Sequence, residues 1–121
     1  MSKISKLKNL DLKTKFGFAL AGLVQTFKTE LSFRIQTTML ILFSISLFYL
    51  KPSGVWLAIF VVMVTLVFAA ELFNTALEKL CDRLHPQIHP LIGAAKDASA
   101  AAVFIICIAA VAVFCIFLMS K

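Results

Sequence analysis

Residues 52–82 read PSGVWLAIFVVMVTLVFAAELFNTALEKLCD, and the two parts of this stretch differ sharply in charge. Residues 52–70 carry no charged side chain, whereas residues 71–82 contain three of the six acidic residues in the chain. An α-helix rises about 1.5 Å per residue, so about 20 apolar residues cross the hydrocarbon core of a bilayer. The stretch therefore predicts a transmembrane helix at about 54–82 whose charged end leaves the membrane.

Two further uncharged stretches lie on either side of this helix. Residues 35–50 form a run of 16 residues, and residues 98–120 a run of 23 residues, without a charged side chain. With some polar residues at the helix ends, they predict transmembrane helices at about 33–50 and about 95–119. The expected fold is therefore an all-α membrane protein with three transmembrane helices.

The overall composition agrees with a single membrane domain over residues 1–121. Hydrophobic residues make up 61% of the chain and charged residues 15%, whereas a soluble domain has about 25% charged residues. Residues 51–54, KPSG, predict a tight turn after the first span, and the two His-Pro pairs in residues 85–90 interrupt the helix before the third. Neither connection is long enough for another domain, and ordinary soluble enzymes are excluded.

Apolar residues recur every three or four positions before the first span. The series comprises Leu12, Phe16, Leu20, Leu23, Phe27 and Leu31. This spacing is typical of one apolar helix face, so we expect an amphipathic helix at about 10–31 that lies on the membrane surface. Lysines near this surface are expected to bind anionic headgroups with about 1 kcal/mol each. We expect no nucleic-acid partner, because the sequence has no base-reading or stacking module.

Basic residues are distributed unevenly between the two sides of the membrane. Seven of the twelve lysines and arginines precede the first span, and three more flank the second connection. Only Lys51 and Lys121 lie on the opposite side. The positive-inside rule therefore predicts a cytoplasmic N-terminus and an external C-terminus.

Polar side chains share one face of the second span at its charged end. On a helix with about 100° per residue, Glu71, Asn74, Glu78 and Asp82 fall within a sector about 80° wide. Crowded carboxylates disfavour their own ionisation unless a cation joins them, and a divalent metal is the simplest candidate. Mg²⁺ is commonly held by one or two protein carboxylates together with substrate phosphates. The stripe therefore favours a magnesium-phosphate site.

The acidic stripe also permits a purely structural interpretation. Asp82 could pair with Lys96, and Glu78 with Lys79 of a neighbouring chain, to orient the helices. Phosphoryl transfer would use the same groups, because it needs a carboxylate for the proton of the acceptor hydroxyl, a metal, and a cation such as Lys96 for the phosphates. The four glycines are scattered singly without a Gly-rich loop, so any nucleotide site is unconventional.

Glu30 also has two interpretations. It follows Leu12 by five helical turns, which would place its carboxylate on the apolar face of the surface helix. Alternatively, the helix bends near Thr29 and leaves Glu30 as a cap for the first span. Only the first interpretation requires a functional role for this carboxylate.

Three short motifs resemble those of the prokaryotic diacylglycerol kinases. Residues 71–82, ELFNTALEKLCD, resemble the signature E-x-x-N-S/T-A-L/I/V-E-x-x-x-D. Ala95-Lys96-Asp97 resembles a second motif of the family, and Glu30 with Phe33-Arg34 resembles an E-x-x-F-R motif before the first span. The resemblance covers nearly the whole chain, and the undecaprenol kinases belong to the same superfamily.

The resemblance implies a homotrimer in the bacterial cytoplasmic (inner) membrane. Each subunit would have three spans and an N-terminal surface helix, and the active sites would lie at the cytoplasmic interface between neighbouring chains. The implied phosphate donor is ATP, the implied acceptor is a membrane lipid, and the implied divalent cation is Mg²⁺.

The resemblance also implies a role for each motif residue. Glu71 would be the general base for the lipid hydroxyl, and Glu30 and Glu78 would be the metal ligands. The residues implied in nucleotide binding are Glu30, Asn74, Glu78, Asp82, His89, Lys96 and Asp97. Those implied in lipid binding are Phe33, Arg34 and Glu71. Helix geometry is compatible with this division, because Glu71 and Glu78 are separated by about two turns, or about 10 Å, along the helix axis.

The acceptor lipid is the point at which this sequence departs from the family pattern. After Phe33-Arg34, the diacylglycerol kinases usually continue with glutamine and glutamate and the undecaprenol kinases with isoleucine and histidine, whereas Ile35-Gln36 follows here. The sequence favours diacylglycerol, with phosphatidic acid as product, and undecaprenol is the alternative. A small proton-coupled transporter is the alternative from another class, although its carboxylate would be expected in the middle of a span.

Overall fold

The computed structural model describes residues 10–121, which form four α-helices connected by short segments. Helix α1 comprises Leu12–Thr29, α2 Leu31–Leu50, α3 Gly54–Leu84 and α4 Pro90–Met119. Helices α2, α3 and α4 are each long and apolar enough to cross a membrane, and residues 10–121 contain no strand. The all-α class and the three predicted spans are confirmed. The surface position of α1 and the homotrimer stay predictions.

A cap and a chain bend define the limits of α1. Its N-cap is Asp11, whose carboxylate accepts a hydrogen bond from the Thr14 backbone N–H at 3.3 Å. Hydrogen bonds from the Thr14 side chain and backbone favour the ionised form and lower the pKa of Asp11. The helix ends at Thr29, where Glu30 adopts an extended conformation with φ −107° and ψ 114°. Helix α1 is therefore shorter at both ends than the expected 10–31.

The connection between α2 and α3 is the expected tight turn. Lys51 ends α2 in the left-handed region, with φ 47° and ψ 61°, a conformation that stops helix propagation. The Ser53 hydroxyl then caps α3 by accepting a hydrogen bond from the Trp56 N–H at 3.5 Å. The Lys121 ammonium donates to the Leu50 carbonyl at 2.9 Å and so satisfies one of the free carbonyls of α2.

Helix α4 begins at Pro90, five residues before the expected start at about 95. Proline is favoured in the first turn of a helix, because its fixed φ suits the helix and it has no N–H to leave unpaired. His89 caps this helix, since its Nδ1 accepts a hydrogen bond from the Leu91 N–H at 3.1 Å. The charged pair Lys96-Asp97 therefore lies within a formed helix.

Three of the four buried hydrophobic residues within residues 10–121 are phenylalanines. Helices α3 and α4 make the most extensive interhelical contact, and α1 packs against both α2 and α3. The Phe60 ring lies 5.2 Å from the Phe117 ring and 5.3 Å from the Phe43 ring, both in edge-to-face geometry. Most other large apolar side chains are exposed, including Phe104 at 67%. Such a surface suits helices that face lipid or another membrane helix.

The aromatic cluster leads to a stability prediction. Phe60 is only 3% exposed, so Phe60→Ala removes buried contacts and opens a cavity, a change that typically costs about 3–5 kcal/mol in a core. We expect a fall of at least about 5 °C in Tm in detergent micelles. The matched control is Phe104→Ala, which truncates an exposed ring and should move Tm little. Equal losses in the two variants would contradict the assignment of the cluster as the core.

Candidate active site

Glu71 is a buried carboxylate, with 3% of its surface exposed. Its Oε1 accepts a hydrogen bond from the Ser32 hydroxyl at 2.5 Å, and its Oε2 accepts one from the Gln36 side-chain amide at 3.1 Å. Ser32 and Gln36 are four residues apart on α2, so they lie on the same face of that helix. Neither ion pair found within residues 10–121 includes Glu71. Neutral donors therefore orient this carboxylate, and both oxygens retain lone pairs for a proton.

The next polar group on α3 is Asn74, which is half-buried. Its Oδ1 is buried and has no hydrogen-bond partner among the described residues. An unsatisfied buried acceptor costs about 1–3 kcal/mol, so a group that donates to it would be stabilising. The adjacent Thr75 is 5% exposed. The Asn74 oxygen is therefore a buried acceptor whose hydrogen-bonding capacity is unused among residues 10–121.

Glu30 lies in the break between α1 and α2, as the capping interpretation expected, but it makes no capping hydrogen bond with its side chain. Its Oε1 instead accepts a hydrogen bond from the Thr29 hydroxyl at 3.4 Å and lies 4.0 Å from the Lys79 ammonium. This contact brings Glu30 to the segment of α3 that carries Glu78. The Glu30 side chain is 30% exposed, so its carboxylate remains accessible to a ligand.

Asp82 and Lys96 form the structural pair that the sequence suggested as one alternative. The Lys96 ammonium donates to Asp82 Oδ1 at 2.7 Å and so connects α3 to α4. The Asp82 side chain is 67% exposed and the Lys96 side chain 36% exposed. Ion pairs of this exposure stabilise proteins by at most about 1 kcal/mol. A phosphate group could therefore compete for Lys96. Lys79, which the structural interpretation of the sequence paired with Glu78 of a neighbouring chain, lies within ion-pair distance of Glu30 of its own chain.

The remaining candidates occupy different environments. Phe33 is 4% exposed and packs edge-to-face on Phe68 with ring centroids 5.3 Å apart. Arg34, His89 and Asp97 are exposed. Phe33 thus has a packing role in addition to the lipid contact that the resemblance implies. The roles of all four in substrate binding stay predictions.

The acidic residues are compatible with Mg²⁺ but do not form a complete cage. Within residues 10–121, no group of three or more histidine, cysteine, aspartate or glutamate side chains is close enough to hold a metal ion. Mg²⁺ requires no such group, because one or two carboxylates and substrate phosphates usually suffice. The half-buried Glu78 and the accessible Glu30 fit that donor set in their chemistry.

An apolar cavity of about 340 Å³ lies between α2, α3 and α4. Gln36 contributes the polar group of its lining, and the other lining residues are apolar side chains and Cys107. Gln36 therefore contacts both the cavity and the Glu71 carboxylate. A hydrocarbon chain in this cavity would lie close to the buried carboxylate.

Sequence reasoning did not identify Ser32 and Gln36 as site residues. Gln36 was noted only because Ile35-Gln36 departs from the family pattern, and no role was predicted for Ser32. The available signal was weak: two polar side chains spaced four residues apart at the start of a span. That spacing places them on one helix face, but it does not say which helix they contact.

Comparisons with known proteins identify the family of this chain. The family model for prokaryotic diacylglycerol kinase matches residues 17–118. A diacylglycerol kinase of Haemophilus influenzae is 35% identical over 105 residues, which cover 87% of each chain. A diacylglycerol kinase of Escherichia coli is 33% identical over 104 residues, with 86% of this chain and 85% of the relative covered. An undecaprenol kinase of Bacillus subtilis is 36% identical over 83 residues, with 68% of this chain and 67% of the relative covered. Similarity of this extent shows that the chain belongs to the prokaryotic diacylglycerol kinase family and is a membrane lipid kinase.

Proposed function

We propose that this protein transfers the γ-phosphate of ATP to the hydroxyl of diacylglycerol and produces phosphatidic acid. The observation that carries the proposal is the buried Glu71 carboxylate, oriented by Ser32 and Gln36 at the end of an uncharged stretch of α3. Membership of the family, together with three helices able to span a bilayer, indicates a protein of the bacterial inner membrane. A hydroxyl at the membrane surface could reach a carboxylate in this position.

Glu71 is proposed as the general base. Its carboxylate takes the proton of the lipid hydroxyl while the hydroxyl oxygen bonds to the γ-phosphorus. The bond from that phosphorus to the bridging oxygen breaks, and ADP leaves with the electron pair. General bases contribute about 10²–10⁴-fold to such reactions when they are held within hydrogen-bond distance of the proton.

The nucleotide is proposed to bind beyond Glu71 along α3, towards its charged end. Glu30 and Glu78 would hold Mg²⁺, which when bound neutralises the charge of the phosphates. Asn74, whose Oδ1 has no hydrogen-bond partner among the described residues, is proposed to accept a hydrogen bond from the nucleotide. The other residues proposed for this side of the site are Asp82, His89, Lys96 and Asp97. Lys96 would exchange its exposed contact with Asp82 for a phosphate oxygen.

The acceptor is proposed to place its hydrocarbon chains in the apolar region beside Gln36. The cavity between α2, α3 and α4 supports this placement, because its lining is as apolar as the hydrocarbon core from which an acyl chain would enter. Phe33 and Arg34 at the start of α2 are proposed to contact the lipid near its headgroup. Undecaprenol is the second candidate acceptor, because the Bacillus subtilis relative is an undecaprenol kinase and Ile35-Gln36 matches neither branch fully.

The working unit is proposed to be a homotrimer with cytoplasmic N-termini. Many large apolar side chains of the spans are exposed in a single chain, which leaves area for contacts between subunits. The small-residue run at the start of α4, residues 98–102, ASAAA, permits close approach of a neighbouring helix. The excess of basic residues before α2 supports the proposed orientation.

A side-by-side acceptor assay tests the proposed function. Transfer of labelled γ-phosphate from ATP is measured with diacylglycerol and with undecaprenol in mixed micelles containing Mg²⁺. We expect magnesium-dependent phosphatidic acid formation and a kcat/KM at least about 10-fold higher for diacylglycerol, a difference of about 1.4 kcal/mol in transition-state binding. A higher kcat/KM for undecaprenol would identify undecaprenol as the acceptor in place of diacylglycerol. Absence of transfer to either lipid by folded protein would reject the proposal.

A further inference from the structure

We propose that Ser32 and Gln36 are positioning residues that hold the Glu71 carboxylate in the orientation required of the base. This inference rests on the proposed function, in which Glu71 takes the proton of the lipid hydroxyl. Ser32 and Gln36 act through Glu71, and neither is assigned a bond to the reacting atoms.

The geometry of the three side chains supports this role. Ser32 donates to Oε1 and Gln36 to Oε2, at 2.5 Å and 3.1 Å, so each carboxylate oxygen has one donor. A glutamate side chain has three rotatable bonds, and one hydrogen bond would leave its carboxylate plane free to turn. Two donors on consecutive turns of α2 restrict both the position and the plane of this group.

The chemical nature of the donors is equally suitable. A lysine or arginine beside Glu71 would pair with its charge and make it a weaker base, because an opposite charge favours the ionised form. A hydroxyl and an amide orient the carboxylate without adding a formal charge. An ionised carboxylate has about four lone-pair positions, so two remain for the hydroxyl of the acceptor.

Gln36 also connects the base to the proposed lipid region. Its Oε1 is buried and has no hydrogen-bond partner among the described residues, so the contact with Glu71 is the hydrogen bond that orients its amide. Gln36 lines the apolar cavity as well. A lipid chain bound there would contact the residue that holds Glu71, which would restrict the amide further.

Kinetic analysis of two variants tests the positioning role. Ser32→Ala removes one donor, and Gln36→Met removes the other with little change in length. We expect kcat to fall about 10-fold to 100-fold in each variant, because misplacement of a catalytic group by about 1 Å costs about 10²-fold. KM for ATP should stay within about twofold of wild type in both variants, and KM for lipid should do so in Ser32→Ala. Ser32→Thr keeps the hydroxyl and should restore most of the activity.

The control for both variants is Ser46→Ala on the same helix. The Ser46 hydroxyl donates to the Phe43 carbonyl and has no contact with Glu71, so this variant should keep the wild-type kcat. Wild-type kcat in both Ser32→Ala and Gln36→Met would overturn the inference. So would a fall that Ser32→Thr does not restore, or one that parallels a loss of Tm.

A spectroscopic measurement separates this inference from the proposed function, because it needs no turnover. In ¹⁵N-labelled protein, the side-chain amide signal of Gln36 is assigned by its loss in Gln36→Met. We expect this signal to move in Glu71→Met, which removes the acceptor, and to stay in place in Ser46→Ala. An unchanged signal in Glu71→Met would overturn the inference even if the protein is an active kinase. A shifted signal without lipid phosphorylation would support the contact and reject the function.

Discussion

Replacement of Glu71 by glutamine is expected to lower kcat for lipid phosphorylation by about 10³-fold. The variant keeps the size of the side chain and an oxygen that can accept a hydrogen bond from Ser32 or Gln36. It loses the carboxylate that takes the proton, and general bases contribute about 10²–10⁴-fold. Initial rates at saturating ATP and lipid measure the effect.

Thr65→Val is the matched control for this change. Thr65 lies on the same helix, is exposed, and its hydroxyl donates to the Val61 carbonyl at 2.7 Å. Its replacement should leave kcat unchanged. Glu71→Gln must also retain the wild-type Tm and particle size, so that loss of activity reports chemistry. A wild-type kcat in Glu71→Gln would contradict the assignment of Glu71 as the general base.

Replacement of Glu78 by glutamine is expected to change the magnesium dependence of the enzyme. Glu78 is proposed to hold Mg²⁺ together with the nucleotide phosphates, and loss of one charged ligand weakens the site because Mg²⁺ prefers carboxylate oxygens. We expect kcat at 1 mM Mg²⁺ to fall about 100-fold, or about 2.7 kcal/mol. The Mg²⁺ concentration for half-maximal activity should rise about 10-fold, so excess Mg²⁺ should restore part of the activity.

The control for the magnesium experiment is Asp11→Asn. Asp11 is a carboxylate that caps α1, and asparagine caps helices about as well as aspartate does. Its replacement removes one acidic group from the protein without touching the proposed metal site. Equal magnesium curves for Glu78→Gln and wild type would contradict the assignment, and equal shifts for Glu78→Gln and Asp11→Asn would attribute the effect to overall charge.

Two features of the site have alternative interpretations in the sequence, and the tertiary structure distinguishes between them. Glu30 could extend the apolar face of α1 or follow a bend, and its extended backbone shows the bend. Lys96 could bind phosphate or pair with Asp82, and the structure shows the pair with Asp82. Both outcomes depend on side-chain and backbone conformations that residue spacing does not specify.

The three spans of this protein follow from residue order alone, because the length of an uncharged stretch and the thickness of a bilayer are both local quantities. The acidic face of α3 is equally local, since helical periodicity places Glu71 and Glu78 on one side. The partners of Glu71 are a property of the tertiary structure. Ser32 and Gln36 lie 39 and 35 residues away in the chain, and only the packing of α2 against α3 brings their donors to the carboxylate. Periodicity describes the faces of one helix, whereas side-chain packing decides which faces meet.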